Sequence, residues 1–303
     1  MGKTPGRASM AKPVFLHIGA HRTGTSSFQM CLDLNRAALE AAGFDLAYPG
    51  RDGIPGGKLR LKLPGPGDTA PQEMIPRAAR AIGAHSPDPD RALILSEENI
   101  PGRMFHFYKG RFYPAAEARL TVLKAALQSL GVDRITRVLL VLRPYDRLFV
   151  SAYRKRAEDN AVSPFEDLVP KFRAMDRGWP ALVRAVKSIL APEEVIIVLY
   201  ARRGSSGDLL RQLAPDLDMP LEEPGRVMNL SATDAALDAL QLRYRGGETL
   251  ERAAWQDVIR EHAELRNPTG FAAFSDKDSA ALSERYAAHL DKIGRIRGIT
   301  FLR

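Results

Sequence analysis

Short apolar runs alternate with amphipathic segments along the first two thirds of the chain. Apolar runs of this length, bounded by turn residues, are typical of strands that are buried on both faces. Apolar residues spaced three and four apart are typical of helices. The pattern predicts four strands, at 14–19, 91–96, 135–142 and 194–200. It predicts helices at about 28–42, 71–84, 114–130, 144–159 and 179–190.

The order of these elements predicts the fold class. Strands that alternate with helices are typical of an α/β protein, with helices on both faces of a parallel sheet in three layers. After residue 204 the pattern is mostly helical, with helices predicted at 206–216, 231–245, 248–265 and 276–292. We therefore expect a single domain over 1–303, with an α/β core at 12–204 and a mainly helical portion at 205–303.

The amino-acid composition predicts that the protein binds an anionic partner. The 303 residues include 44 Lys and Arg against 36 Asp and Glu, a net charge of +8. A surplus of positive charge favours anions. The basic residues are spread along the chain, so an arm that binds nucleic acid is not expected. The lone cysteine, Cys31, fits a reducing compartment, and the first residues have no apolar core of a secretory signal. We expect a cytoplasmic protein without a membrane span.

The first candidate site is the stretch 19–26, GAHRTGTS, which follows a predicted strand and opens a helix. Its two glycines have the spacing of the phosphate-binding loop G-x-x-x-x-G-K-[ST]. Glycine permits the turn, and backbone N–H groups at a helix N-terminus favour phosphate. Thr25 stands where that loop has lysine, and the nearest cation is Arg22. The same residues also fit a plain glycine turn that is capped by hydroxyls.

A second candidate site follows the predicted strand at 135–142. Arg143 stands at its carboxyl end, where the ligands of open α/β sheets collect. Ser151 is eight residues further on, and Arg147 shares its helix face. A guanidinium can hold a phosphate through two hydrogen bonds. The alternative is a solvated basic helix face with Arg143 paired to a carboxylate.

These two segments resemble a known family. HIGAHRTGTSSFQ, residues 17–29, resembles the 5′-phosphosulfate loop of sulfotransferases that use 3′-phosphoadenosine-5′-phosphosulfate (PAPS), commonly written K-[ST]-G-T-[TS]. LVLRPYDRLFVSAYRK, residues 140–155, resembles their 3′-phosphate segment. The likeness is to bacterial sulfotransferase-like proteins and, more distantly, to carbohydrate sulfotransferases. It covers two short segments, in the family's order.

The resemblance implies a P-loop-type α/β fold and transfer of a sulfuryl group from PAPS to a hydroxyl or amine. The acceptor would be a small molecule or a carbohydrate, the product nucleotide would be 3′-phosphoadenosine-5′-phosphate (PAP), and no metal is expected. Arg22 stands where the family has lysine, which implies that it contacts the leaving phosphate and takes part in catalysis. The nucleotide-binding residues that the resemblance implies are Arg22, Thr23, Gly24, Thr25, Ser26, Ser27, Arg143 and Ser151.

Transfer to a hydroxyl or amine also needs a base. The candidate is Glu97, directly after the predicted strand at 91–96, where related proteins often carry a Ser-Glu pair. Glu98 and His21 are the alternatives, whereas His17, inside a strand, is expected to pack in the core. The stretch 202–208, RRGSSGD, fits either a second anion loop or a capped turn.

Two other functions remain open. A small-molecule kinase would use a loop lysine and an acidic magnesium ligand, and this loop has no lysine. The second function is that of a protein which binds nucleotide without efficient transfer. Arg22 keeps this alternative open, because its guanidinium is planar and forked whereas the family's lysine has a compact ammonium group.

Overall fold

The computed structural model describes residues 12–225 and 232–302. Its centre is one sheet of six parallel strands in the order β2-β3-β1-β4-β5-β6. The strands are β1 Val14–His17, β2 Phe44–Ala47, β3 Ala92–Ser96, β4 Arg137–Leu142, β5 Glu194–Leu199 and β6 Ile299–Leu302. Helices flank the sheet, which confirms the predicted α/β class and the parallel sheet between helical layers.

The helices follow the predicted alternation with the strands. They are α1 Thr25–Leu34, α2 Arg36–Ala41, α3 Ile75–Gly83, α4 Ala116–Gln128, α5 Tyr145–Ala157, α6 Phe165–Arg173, α7 Trp179–Ala185, α8 Ser206–Leu213, α9 Asp234–Arg245, α10 Arg252–Glu261 and α11 Asp276–Gly294. A π-helical turn, Val186–Leu190, extends α7. Short 3₁₀ helices lie at Arg51–Gly53, Pro71–Met74, Met104–Lys109 and Tyr200–Arg202. Residue 231, the predicted start of the ninth helix, lies outside the described residues.

The prediction of four strands was wrong, because β2 and β6 were missed. β2 has only four residues, and Asp45 interrupts its apolar run. That carboxylate is buried between Lys12 Nζ at 3.3 Å and Arg91 Nε at 2.9 Å. β6 is also four residues long and pairs only with β5. The C-terminal portion, expected to be mainly helical, thus also completes the sheet.

Two helical segments differ from those that the sequence pattern predicts. The predicted helix at about 28–42 is divided at Asn35, whose amide Nδ2 donates to Cys31 O at 2.8 Å and Glu222 O at 2.9 Å. A side chain that bonds nearby backbone competes with the helical ladder. The unpredicted α6 contains Pro170, a residue that normally argues against a helix interior.

Side chains of successive strand residues enter two separate cores. Leu139 and Val141 of β4 pack with Phe28 of α1 and Leu209 of α8 on one face. Their neighbours Val138, Leu140 and Leu142 pack on the other face with Leu120 of α4 and Trp179 of α7. Alternation in a strand places neighbouring side chains on opposite faces. Burial on both faces explains why β4 is a continuous apolar run.

The topology opens a crevice at the carboxyl ends of the central strands. From β1 the chain crosses β3 to reach β2, whereas from β3 it crosses β1 in the opposite direction to reach β4. α1 accordingly packs with α8 on one face and α4 packs with α3 on the other. Ligands of open α/β sheets bind where the crossover direction changes. Both predicted sites, after β1 and after β4, begin at this crevice.

Candidate functional site

The loop that joins β1 to α1 has a tightly braced backbone. Gly19 and Gly24 both have φ of +94°, and Arg22 between them has φ of +61°. Glycine adopts this left-handed region without the clash that a Cβ causes. Thr23 and Thr25 both donate their hydroxyls to Ala20 O, at 2.6 and 3.2 Å. These hydroxyl hydrogens are therefore used within the loop, and the two positions offer an anion their backbone N–H groups instead.

α1 begins directly after this loop, at Thr25. Gly24 is the residue before the first turn, and no side chain of the described residues caps it. The first N–H groups of a helix have no partner within the helix, and the helix dipole makes this end positive. An anion at this position would satisfy both the hydrogen-bonding and the electrostatic demand.

Arg203 lies against this helix end. A Cβ built on Gly24 would overlap the guanidinium, with Cζ only 2.7 Å away. Nη1 of Arg203 is buried and has no hydrogen-bond partner among the described residues. A cation beside the positive end of a helix is unfavourable unless an anion lies between them. The structure thus places a second guanidinium, besides that of Arg22, at the loop.

Arg203 belongs to the stretch 202–208, for which the sequence left two interpretations open. The capped turn is present: Ser205 Oγ accepts from Asp208 N at 3.0 Å, and Asp208 accepts from Ser205 N at 2.9 Å. That turn ends the segment which carries Arg203 to Gly24. The two interpretations are therefore compatible, since the turn positions the cation.

Arg143 also reaches the loop. Its Nη1 donates to Arg22 O at 2.6 Å, and its guanidinium stacks on the ring of Tyr200 at 4.6 Å. No carboxylate of the described residues lies within ion-pair distance of it, so the alternative of a carboxylate partner was wrong. Its Nε is buried without a partner. Burial lowers the pKa of Arg143, and the positive charge of Arg22 lowers it further.

Arg22 joins the two predicted segments. Its Nε donates to Ser151 Oγ on α5 at 2.9 Å, which leaves the hydroxyl hydrogen of Ser151 available to a ligand. Beside Ser151 lies a cavity of about 410 Å³, called here the α5 cavity. Arg143, Arg147 and Arg154 line it with one carboxylate, that of Asp146. The residues predicted to bind the 5′ and 3′ phosphates therefore lie together in one positively charged region.

Glu97 is buried directly after β3, as a base candidate should be, but it already has partners. Both carboxylate oxygens accept from Arg51 Nη2, and Oε1 also accepts from Asn99 N at 2.7 Å and Asn99 Nδ2 at 3.0 Å. The neighbouring Glu98 lies 3.4 Å from Arg51 Nη1. The two glutamates, which follow the end of the strand at Ser96, therefore share one guanidinium.

The turn that carries Glu97 is fixed from the helical layer behind it. Arg119 of α4 is buried and donates to Asn99 O at 2.6 Å and Ile100 O at 3.0 Å. It also donates to Leu63 O at 2.9 Å in the long loop before α3. Burial lowers the pKa of Arg119 to about 10. One side chain thereby ties the Glu97 turn to the loop that supplies Arg51.

His21 is held by hydrogen bonds at both ring nitrogens. Tyr113 OH lies 3.1 Å from Nδ1, and Asn99 Oδ1 lies 3.1 Å from Nε2. The amide oxygen of Asn99 must accept, so Nε2 carries the hydrogen and Nδ1 accepts from Tyr113. Burial lowers the pKa of His21 to about 4, against the opposing effects of Asn99 and Glu97. The imidazole is neutral and begins a chain of hydrogen bonds that ends on Glu97.

His17 is a core residue, as predicted. It is 1 % exposed, lies against the ring of Phe28 at 4.2 Å, and has Nδ1 at 2.9 Å from Ser96 Oγ. Burial lowers its pKa to about 3, and the charge of Arg203 lowers it further.

Two neutral buried histidines predict a pH dependence of stability. The unfolded chain protonates both near pH 6.5, whereas the folded protein protonates His21 at about 4 and His17 at about 3. Between pH 6 and 5, the two histidines therefore bind about two protons when the protein unfolds. The free energy of unfolding consequently falls as the pH falls. Urea unfolding at pH 7.5, 6 and 5 measures this. His17→Asn should lower the uptake by about one proton, and a profile that is flat over this range would contradict neutral burial.

Several site residues escaped the sequence analysis. Arg51 comes from a Gly- and Pro-rich loop without periodicity, and Asn99 and Tyr113 are single polar residues in irregular segments. Glu158, at the end of α5, is a buried carboxylate paired with Lys155 Nζ at 2.7 Å. Burial raises the pKa of Glu158, although Lys155 and Arg22 oppose the shift. None of these residues belongs to a motif with fixed spacing. Arg51 and Tyr113 reach the site only through contacts distant in sequence, to Glu97 and His21.

Comparisons with known proteins add no family to this description. No protein-family model matches the chain. A search of curated proteins finds no significant relative. Among the residues that the structure describes, no group of three or more His, Cys, Asp and Glu could hold a metal ion. In the same residues, no helix has both the length and the apolar character that crossing a membrane requires.

Proposed function

We propose that this protein is a PAPS-dependent sulfotransferase of the P-loop type, which transfers a sulfuryl group to a hydroxyl or amine of a small molecule or carbohydrate. One observation carries the proposal. The two segments whose sequences resemble the 5′ and 3′ binding motifs lie in contact, through Arg22 Nε to Ser151 Oγ and Arg143 Nη1 to Arg22 O. They are 129 and 121 residues apart in sequence, so this contact is independent of the local motifs.

The unsatisfied donors fit a ligand with two separate phosphate groups. At the loop, the N-terminus of α1, which no side chain of the described residues caps, and the buried Nη1 of Arg203 suit the 5′-phosphosulfate. In the α5 cavity, the buried Nε of Arg143 and the free hydroxyl hydrogen of Ser151 suit the 3′-phosphate. A donor that is buried without a partner costs about 1–3 kcal/mol, which a bound anion would recover.

The loop residues would stabilise charge during transfer. PAPS supplies an activated sulfuryl group on a phosphate that departs as PAP. Negative charge grows on that phosphate, and preorganised donors aimed at growing charge lower the barrier. Arg22 and Arg203 each bring a guanidinium to the loop, and the N–H groups of α1 add to them. Arginine keeps the charge that the family's lysine provides.

Glu97 would accept the proton of the acceptor. It lies at the carboxyl end of β3, in the crevice that also holds the phosphate loop. Its Oε1 is held by Asn99, while among the described residues Oε2 accepts a hydrogen bond from Arg51 alone, so Oε2 is the oxygen available to a proton once Arg51 shifts. Arg51 keeps Glu98 as a partner in that case. The neutral His21 steadies Asn99 rather than acting on the acceptor, since both of its nitrogens are engaged.

Calorimetry with PAP and ATP, with and without magnesium, tests the proposal against its rivals. We expect PAP to bind without metal and more tightly than ATP. Binding of ATP that requires magnesium would instead indicate a phosphoryl-transfer enzyme. A labelled-PAPS transfer screen over sugars, lipids, phenols and peptides then separates an enzyme from a nucleotide-binding protein, because the latter binds PAP and transfers to none of them.

The α5 cavity gives the first mutational prediction. Arg143→Ala and Ser151→Ala should weaken PAP much more than 5′-AMP, since only PAP has a 3′-phosphate. A charge-assisted hydrogen bond contributes about 1.5–3 kcal/mol, so Arg143→Ala should cost about tenfold to hundredfold in PAP affinity. Arg134→Ala is the matched control, because Arg134 precedes β4 at the opposite end and pairs with Glu193. Equal losses for both nucleotides would remove the 3′-phosphate from this cavity.

A further inference from the structure

A second cavity opens on the other side of the phosphate loop. It has a volume of about 490 Å³, within the range of small-molecule sites, and is called here the acceptor cavity. We propose that it binds an anionic acceptor of the acidic-sugar class, one that carries a carboxylate or sulfate besides its hydroxyls. The role of this ligand as an acceptor rests on the proposed function, whereas selective binding of an anionic sugar to the cavity can be tested without it.

The position of the cavity follows from two consecutive loop residues. Arg22 turns its side chain to Ser151, which lines the α5 cavity. His21, the preceding residue, lines the acceptor cavity. Glu98 and Asn99, from the turn that carries Glu97, line it as well. The loop thus separates the two cavities, and the one away from the proposed 3′-phosphate lies beside the candidate base.

The charges in the acceptor cavity do not balance. Its lining has four cationic side chains, Arg51, Arg103, Lys155 and Arg156, against the carboxylates of Glu98 and Asp159. Arg51 is paired with Glu97 and Glu98, and Lys155 with Glu158. Over residues 12–225 and 232–302, Arg103 and Arg156 have no carboxylate within ion-pair distance. Two cations therefore face the cavity without an ion pair, against one lining carboxylate, that of Asp159, which lies outside the pairs with Arg51 and Lys155.

Arg156 is also held in place, unlike an ordinary surface arginine. Its guanidinium lies 5.2 Å from the ring centre of Phe105 and 5.4 Å from that of Tyr108. The Tyr108 ring is fixed by its hydroxyl, which donates to Ala152 O at 2.6 Å. Stacking of this kind leaves the N–H groups in the guanidinium plane available to a carboxylate or sulfate, which they can bind in a bidentate way.

The remaining lining favours a sugar over an apolar acid. Nine of the twelve lining residues are charged, amide or imidazole side chains. The other three are Met104, Phe105 and Tyr108, and the last two are already stacked against Arg156. An apolar acceptor would find little surface to cover here, whereas a polyhydroxylated anion finds hydrogen-bonding groups around two unpaired guanidinium groups.

The test compares two probes that differ in one carboxylate, methyl β-D-glucuronide and methyl β-D-glucoside. Binding to the full chain is measured by ligand-observed NMR, with and without saturating PAP. We expect the glucuronide to bind more tightly, with a preference that falls as salt is added. Arg103→Ala and Arg156→Ala should each reduce glucuronide affinity by about tenfold to hundredfold and leave PAP affinity unchanged. Arg295→Ala is the matched control, because Arg295 is an exposed arginine directly after α11.

The outcomes separate the two proposals. If PAP binds but the two glycosides bind equally, or both arginine variants keep the full preference, the acidic-sugar inference is overturned while the sulfotransferase proposal stands. If PAP does not bind but the glucuronide preference depends on Arg103 and Arg156, the cavity is an acidic-sugar site and the proposed function fails. Arg103 is exposed, so its variant remains informative if the Arg156 variant does not fold.

Discussion

Gly24→Ala is expected to abolish measurable PAP binding. The position has φ of +94°, and the added Cβ would overlap the guanidinium of Arg203 at the N-terminus of α1. Either Arg203 is displaced or the loop shifts, and in both cases the proposed 5′-phosphosulfate site loses its arrangement. Arg22→Ala should weaken PAP severely as well, because it removes a loop cation and the contact with Ser151. Calorimetry with PAP measures both variants, and we expect losses of more than about a hundredfold.

Gly43→Ala is the matched control for this experiment. Gly43 has φ of +92°, so the substitution introduces the same backbone strain, but a Cβ there meets no atom within 4 Å. It lies before β2, at the end of the sheet opposite the crevice. We expect a loss of stability of about 1 kcal/mol and unchanged PAP affinity. Unchanged PAP affinity in both Gly24→Ala and Arg22→Ala would exclude the loop from the nucleotide site.

Glu97→Gln is expected to keep the fold and PAP binding but to slow transfer by about a hundredfold to ten-thousandfold. Glutamine is close to glutamate in size, and its amide oxygen can still accept from Asn99 N and Nδ2. Arg51 keeps an ion pair through Glu98. What the variant loses is the capacity to take a proton. The measurement is the rate of sulfuryl transfer from labelled PAPS to the best acceptor of the screen.

Glu98→Gln is the control for the base assignment. Glu98 contacts the same guanidinium as Glu97, but it lines the acceptor cavity and its side chain is 24 % exposed, whereas that of Glu97 is 6 % exposed. We expect its glutamine variant to change the turnover rate far less than that of Glu97. Near-parental turnover in Glu97→Gln would show that Glu97 is not the base. Glu98 would then be the next candidate, ahead of His21, whose nitrogens are both occupied.

The sequence by itself determined the α/β fold class, and it singled out the two segments that are proposed to bind phosphate. Strands buried on both faces leave continuous apolar runs, and the runs at β1, β3, β4 and β5 were long enough to be recognised. β1 is as short as β2 and β6, but Ile18 continues its apolar run. β2 was missed because Asp45 interrupts its run after one apolar residue, and β6 because its four residues are only half-buried and include Thr300. The glycines of the loop were recognised because left-handed backbone demands that residue type at fixed spacing.

Only the tertiary structure decided what these motifs contact. The proximity of Arg22 to Ser151 and of Arg203 to Gly24 depends on sheet topology, since strand order brings distant loops to one crevice. The pairing of Glu97 with Arg51 is likewise a contact across 46 residues, and nothing in either local sequence announces it. Local patterns are set by the backbone geometry of neighbouring residues, whereas a side chain's partner is set by the packing of elements remote in sequence. For that reason the sequence named some of the candidate groups, such as Arg22, Arg143 and Glu97, and the fold determined which side chains they contact.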